Sequence, residues 1–320
     1  MAEPAANHHL DLLTLCSLTA GEDRCDWGVI ARQAHREGSL TGLRAGEMLE
    51  ATKRAHKTGW IASTVTDDQW EAALSRARIE LEAADSVGAR MTTVLDDDYP
   101  LNLRFIYNLP PFLFYRGDLD EETDTRSVAV VGTRNASEGG RETAWNISNE
   151  LARHGITVTS GLARGIDTSA HTAALEAGGR TISVFGTGIT KVSPVGNREL
   201  ADLIVDKGGL LVSQFFPTAT GAHWTFGKRN EVTSGISQAT IVVEASRTSG
   251  ARMQARLAYE HGKRVFLMKQ LVLSEDWAKK MIKEDKAISI ANVDEVIGQI
   301  VETSRLRKAD VALRITPSML

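Results

Sequence analysis

The sequence predicts an α/β protein with a doubly wound, mostly parallel sheet, preceded by a small N-terminal all-helical domain. Two observations predict this. From Ser127 onward six short β-branched runs, SVAVVG, ITVTSG, TISVFGTG, GLLVSQF, ATIVVEAS and KRVFLMK, alternate with helical patterns such as RETAWNISNELARHG and ARMQARLAYEHG. Nearly continuous apolar strands separated by helices need a parallel sheet covered on both faces, and right-handed crossovers then fix the winding. Before about Gly88 the apolar residues instead recur at three- and four-residue intervals, the repeat of an amphipathic helix.

In chain order, LDLLTLCSL, WGVIARQAHREG and WEAALSRARIELEAAD read as helices, with Gly38 and Gly59 placed to end helices. Their charged residues form no convergent set, so residues 1–90 are expected to pack and space, or to serve as an interaction module. A different texture begins at Thr92. A short β-like run, the tandem Pro110 and Pro111, and an apolar run from Phe112 to Tyr115 ending at Gly117 describe a connector, residues 91–126, that adds edge strands. Asp118 to Arg126 reads as a polar linker. Residues 127–305 then form an extended Rossmann-like domain closed by helical segments around a short ISI, and residues 306–320 form a tail too short for a further folded unit.

Composition narrows the function classes. The chain has 320 residues, 42% hydrophobic and 24% charged, enough for one large and one smaller domain. No run approaches the roughly 20 apolar residues of a membrane span, and the first residues lack a basic leader, so a cytoplasmic protein with no membrane partner is expected. Cys16 and Cys25 have no metal-ligand spacing and read as reduced structural thiols; no metal and no cofactor are expected. The net charge of −4 hides a division, because residues 127–272 hold 16 basic against 11 acidic side chains. A basic domain within an acidic chain points to a polyanionic ligand, or to a surplus of solvated cations.

In open α/β sheets ligands lie beyond the carboxyl ends of the strands, so the loops there carry the candidates. The first, Gly132 to Gly140, leads into a helix expected to begin near Arg141. Gly132 allows close backbone approach, the helix N-terminus offers free N–H groups to an anion, and Arg134 adds a charged fork. Glycine spacing departs from the dinucleotide fingerprint and no acid ends the second strand to hold a ribose, which disfavours a nicotinamide enzyme. The second loop, SGLARGID, turns on Gly161 and Gly165, with Asp167 placed to cap a helix and Arg164 directed at a phosphate or at a carboxylate. His171, one turn on, reads as a helix-surface or core residue. The third, Gly186 to Gly188, forms either a nest of backbone amides for an anion or a tight turn, and Asn197 follows as a potential cap.

After the fourth strand a longer connection places Trp224, Phe226, Lys228, Arg229 and Asn230 within seven residues. Aromatic faces for stacked bases beside cations for the backbone suit single-stranded nucleic acid better than they suit a core segment. The last loop sets Ser249 and Gly250 at a helix start, with Arg247, Arg252 and Arg256 nearby. Glu244, at a strand end, either positions a ligand or neutralises Arg134.

YPLNLRFIYNLPPFLFYRG, VAVVGTRNAS, SGLARGIDTSAH, the GTG turn, FGKRN and SGARMQARLAYEHGKRVF follow one another in an order that resembles the DNA-processing protein A (DprA/Smf) family, over roughly Tyr99 to Met268. The resemblance implies an extended Rossmann fold, a homodimer, sequence-independent binding of single-stranded DNA, and loading of a RecA-type recombinase during transformation, without catalytic residues. By position it places Gly132, Thr133, Arg134, Gly161, Arg164, Gly165, Lys228, Arg229 and Asn230 in the DNA pocket. The chain departs from the family at Glu231, where a basic residue is common, and in lacking room after Ser304 for a winged-helix module. The rival reading is a nucleotide-binding or nucleotide-hydrolysing enzyme or sensor of the wider lysine-decarboxylase-like (SLOG) superfamily, with Glu231 and Glu244 as its carboxylates.

Overall fold

The structure, a computed structural model, describes residues 7–300 together with Arg305, Lys308 and Asp310. The expected tail, 306–320, therefore falls almost wholly outside the described residues. The chain opens with α1 (Asn7–Ser17), a small ladder of β1 (Thr19–Ala20) and β2 (Asp23–Arg24), then α2 (Trp27–Glu37), α3 (Thr41–Ala45), α4 (Lys53–Thr64) and α5 (Asp67–Asp85). Local chemistry sets the helix ends. The Asp26 side chain accepts the Val29 N–H at the start of α2, left-handed Gly38 ends it, and Thr66 with Gln69 closes a capping box on α5. Gly59 does not end a helix: it lies inside α4, where a Cβ would strike Met48 and the Gly46 carbonyl, so glycine there permits close packing.

Next come β3 (Arg90–Thr93), β4 (Phe112–Gly117), α6 (Glu121–Thr125), β5 (Ser127–Val131), α7 (Glu138–Arg153), β6 (Thr157–Ser160), α8 (Ile166–Glu176), β7 (Thr181–Val184), α9 (Arg198–Asp206) and β8 (Leu210–Ser213). The chain continues through α10 (His223–Ile236), β9 (Ala239–Val242), α11 (Gly250–Glu260), β10 (Arg264–Met268), α12 (Lys269–Ser274), α13 (Asp276–Lys283), β11 (Ile288–Ile290) and α14 (Asp294–Ile297). The segment read as a polar linker contains α6, which Asp120 caps through the Thr123 N–H.

One nine-stranded sheet runs β11-β10-β9-β5-β6-β7-β8-β4-β3. It is parallel from β11 to β8, and β4 and β3 join antiparallel at the edge, with Pro110 and Pro111 kept just outside the ladder. Every residue of β5 through β9 is buried, as strands covered by helices on both faces require.

Two apolar clusters fill the molecule. One lies between α7, α8, α11 and the β5, β9 and β10 region. The other runs without a polar seam from the N-terminal helices into β4, β7 and β8. At its margin the partly buried Trp27 and Phe216 meet the buried Phe112, with ring centroids 5.1 to 5.7 Å apart. From α5, the Glu80 carboxylate accepts the Thr218 N–H at 2.9 Å and its hydroxyl at 2.8 Å, and Arg76 lies over Phe216. The helical region thus fastens the loop that leads into α10.

Candidate nucleic-acid interface

From β5 the chain fills the sheet outward through β6, β7 and β8, then returns to lay β9 on the other side of β5. The loops after β5 and β9 therefore part in opposite directions, which opens a crevice at this switch point. The resulting cleft, about 700 Å³, is lined by Gly132 to Asn135, Gly161, one face of α10 and the start of α11. A second recess of about 240 Å³ holds Arg134, Arg164, Pro194 and Phe226.

Arg134 and Arg164 are exposed, and neither has an ion pair among the described residues. Arg134 lies over the Phe226 ring at 5.4 Å, so a cationic plane and an aromatic one are layered where the two recesses meet. Thr133, Asn230, Ser249 and Gly250 also line the cleft. Ser249 caps α11 by accepting the Ala251 N–H, and Asn230 Nδ2 reaches the Gly250 carbonyl at 3.4 Å.

Arg229 lines the cleft as part of its floor. Its guanidinium is buried, and Nη1 donates to the carbonyls of Gly161 (2.7 Å) and Val184 (2.9 Å), tying the ends of β6 and β7 together. Nearby, the buried Asp167 carboxylate accepts the amides of Gly161 and Ala163, both at 3.2 Å, so it fixes the loop rather than capping the helix from outside. Burial pushes Asp167 up and Arg229 down from their ordinary values, and the opposite charge of each pulls the other back. A Cβ on Gly161 would overlap the Arg229 guanidinium, and Gly165, at φ +80°, backs onto the carbonyls of Thr133 and Arg134. These glycines are required by the loops' contact with one another.

Three expected anion sites are arranged differently. The helix after β5 begins at Glu138 and is capped by Ser137, whose Oγ accepts the Gly140 N–H, and the Glu244 carboxylate in turn accepts the Ser137 N–H at 3.1 Å and Oγ–H at 2.8 Å. Gly186 to Gly188 is buried: Gly188 N–H donates to the Ala219 carbonyl, a Cβ on Gly188 would strike the carbonyls of Phe216 and Pro217, and one on Gly186 would strike the Phe226 ring. The turn is a packed corner and presents no amide nest to the cleft. Asn197 holds the second loop, donating to the Leu162 carbonyl at 2.7 Å, and makes no cap bond.

The segment read as a connection after the fourth strand is mostly α10, and a helix separates residues that look clustered in sequence. Phe226, Arg229, Asn230 and Thr233 share the face that lines the cleft. Trp224, Lys228 and Glu231, spaced four and three apart, lie off it. Trp224 is exposed with its edge on Phe215, and Lys228 pairs with Glu231 at 2.8 Å. Burial pushes Glu231 up while Lys228 and Asn108 hold it down. Sequence reasoning missed His223, Ser246, Thr248, Met253 and Gln254, which also line the cleft. The hydroxyl-rich ASRTSG and the α11 positions one turn inside its start were the available signal.

Residues 90–301 match the family model of DNA recombination-mediator protein A. DNA processing protein DprA of Bacillus subtilis is 35% identical over 218 residues, covering 65% of this chain and 73% of its own. The Streptococcus pneumoniae protein of the same name is 36% identical over 204 residues, covering 63% and 71%. The X-ray structure of DNA processing protein A from S. pneumoniae superposes with a TM-score of 0.69 at 26% identity, over 92% of this chain and 98% of its own. A Helicobacter pylori DNA processing protein A, whose structure was described for its single-stranded DNA binding mode, shares the fold with a TM-score of 0.58 at 24% identity, over 66% and 95%. With the motif order, the nine-stranded sheet and the family match in agreement, the chain belongs to the DNA recombination-mediator protein A (DprA/Smf) family of DNA-processing proteins.

Proposed function

We propose that the chain binds single-stranded DNA across the β5/β9 crevice without sequence preference. The observation that carries this reading is the meeting of Arg134 and Arg164, both exposed and without an acidic partner among the described residues, beside Phe226 at the mouth of the cleft. Guanidinium groups neutralise the sugar–phosphate chain, and the Arg134–Phe226 layer offers a planar surface against which a base stacks. Hydroxyls of Ser246, Thr248 and Ser249 supply further donors to phosphate oxygens. Glu244 and Glu231, the carboxylates available to a nucleotide-hydrolysing enzyme, do not line the cleft, which favours a binding role without catalytic chemistry.

Fluorescence anisotropy of a labelled oligothymidylate over a salt series tests this. Affinity should fall steeply as salt rises, and the double variant R134A/R164A should lose most of it. Unchanged affinity in that variant would end the proposal.

Family membership supports three extensions: loading of a RecA-type recombinase onto the bound strand, a homodimeric state and a cytoplasmic location. Recombinase filament assembly with and without the protein, and sedimentation of the full chain, test the first two. The helices before residue 90 are proposed as a module that steadies α10 through the Glu80–Thr218 bonds, outside the DNA path.

A further inference from the structure

His8 and His9 lie in the first turn of α1, and both rings reach one carboxylate. His8 Nε2 stands 2.7 Å from Asp96 Oδ1, and His9 Nε2 stands 2.7 Å from Asp96 Oδ2. The two rings meet edge to face at 4.6 Å. One ligand atom from each of the three residues can be chosen so that all lie within 4.8 Å of one another. The set lies apart from the residues lining the cleft, and DNA binding makes no use of it.

Two imidazoles and a carboxylate are a donor set that zinc-type ions take. Zn–N bonds of about 2.0–2.1 Å in a tetrahedron put ligand atoms roughly 3.3 Å apart. The widest separation closes by up to about 1.5 Å and the two 2.7 Å contacts open to that spacing, through χ rotations of the two histidines. The carboxylate is already oriented by a second layer of bonds. Thr93 donates its N–H at 2.7 Å and its hydroxyl at 2.8 Å to Asp96 Oδ2. Arg104 holds the loop by donating to the main-chain carbonyls of Val94 and Asp96. Support of this kind characterises metal-ligating carboxylates. Asp97 and Asp98 follow directly in the chain and add negative charge to the segment, against the positive charge that Arg104 brings to the Asp96 carbonyl.

We propose that His8, His9 and Asp96 bind one divalent ion of the zinc type, with water in the fourth position, and that the ion fastens the first turn of α1 to the loop after β3. Without metal, each Nε2 carries a proton and donates to Asp96. On binding, each neutral ring carries its proton on Nδ1 instead, so that the Nε2 lone pairs face the ion, and any second ring proton leaves to solvent. No metal was expected from the sequence because the search there rested on the two cysteines, whereas His9 and Asp96 lie 87 residues apart.

The test uses the full chain, stripped with EDTA and dialysed against Zn²⁺, with bound metal measured directly and Co²⁺ as a spectroscopic probe. The expected result is saturable uptake of one Zn²⁺ per chain, a raised Tm, and a Co²⁺ absorption spectrum of low coordination number. H9Q and the double variant H8Q/H9Q should lose all three while their circular dichroism stays native. Absence of saturable uptake by the unmodified chain would overturn the proposal, as would uptake that persists in H8Q/H9Q. The histidine variants leave Asp96 in place, so a folding defect from losing its loop bonds does not confuse the outcome.

Discussion

The Glu244 carboxylate holds Ser137, the residue that caps α7, by accepting its N–H and its Oγ–H. A side chain from the loop after β9 thereby orients the cap of the helix that follows β5, and the two loops bordering the crevice are joined. Replacing it with alanine should lower stability by about 1 kcal/mol, the scale of the hydrogen bonds lost. A denaturant melt of E244A checks this, and a midpoint equal to that of the unmodified chain would contradict the role of Glu244 in holding Ser137.

Salt dependence separates the cations. Arg134 and Arg164 face the recess without ion pairs among the described residues, whereas Lys228 is engaged by Glu231. R134A and R164A should each reduce the slope of log affinity against log salt by about 1, while K228A should leave it nearly unchanged. Anisotropy titrations at several salt concentrations give the three slopes.

Arg229 behaves otherwise. Its removal strands two carbonyls and leaves buried Asp167 without a countercharge, so R229M should cost on the order of 3 kcal/mol or more in stability. Any loss of DNA affinity in this variant should track the loss of folded protein, as read by circular dichroism alongside binding.

Acid sensitivity should centre on His171. Thr181 Oγ donates to the Val158 carbonyl and so accepts from His171 Nδ1–H at 2.7 Å. Burial pulls the imidazole down to about 3 from its ordinary 6.5. The unfolded chain therefore takes up a proton that the folded one refuses. The stability concerned is fully present above about pH 6.5 and is lost as pH falls toward 3. A Tm-against-pH series should show H171N with a shallower acid limb than the unmodified chain. Parallel limbs would assign the acid sensitivity elsewhere.

The sheet was legible in the sequence because six strands buried on both faces leave little choice but apolar runs, and the glycines mark where each strand turns. The site was legible less evenly. Arg134 and Arg164 follow strands directly, and their exposure agrees with the loop argument. The cluster from Trp224 to Asn230 misleads when read as a loop, since helical periodicity sends Phe226 and Arg229 inward to the cleft and Lys228 toward Glu231. Arg229 could not be distinguished from a phosphate contact, because the carbonyls that hold it, Gly161 and Val184, are 68 and 45 residues away. The bond from Ser137 to Glu244, 107 residues on, was hidden for the same reason.

The ring cluster of Trp27, Phe112 and Phe216 has a practical corollary for anyone trimming this protein. A fragment begun at β3 would bare the greasy side of Phe112 and Phe216 to water and free the hinge before α10, inviting clumping and a blurred groove. Shortened versions need polar replacements on that wall, or a borrowed helix to cover it.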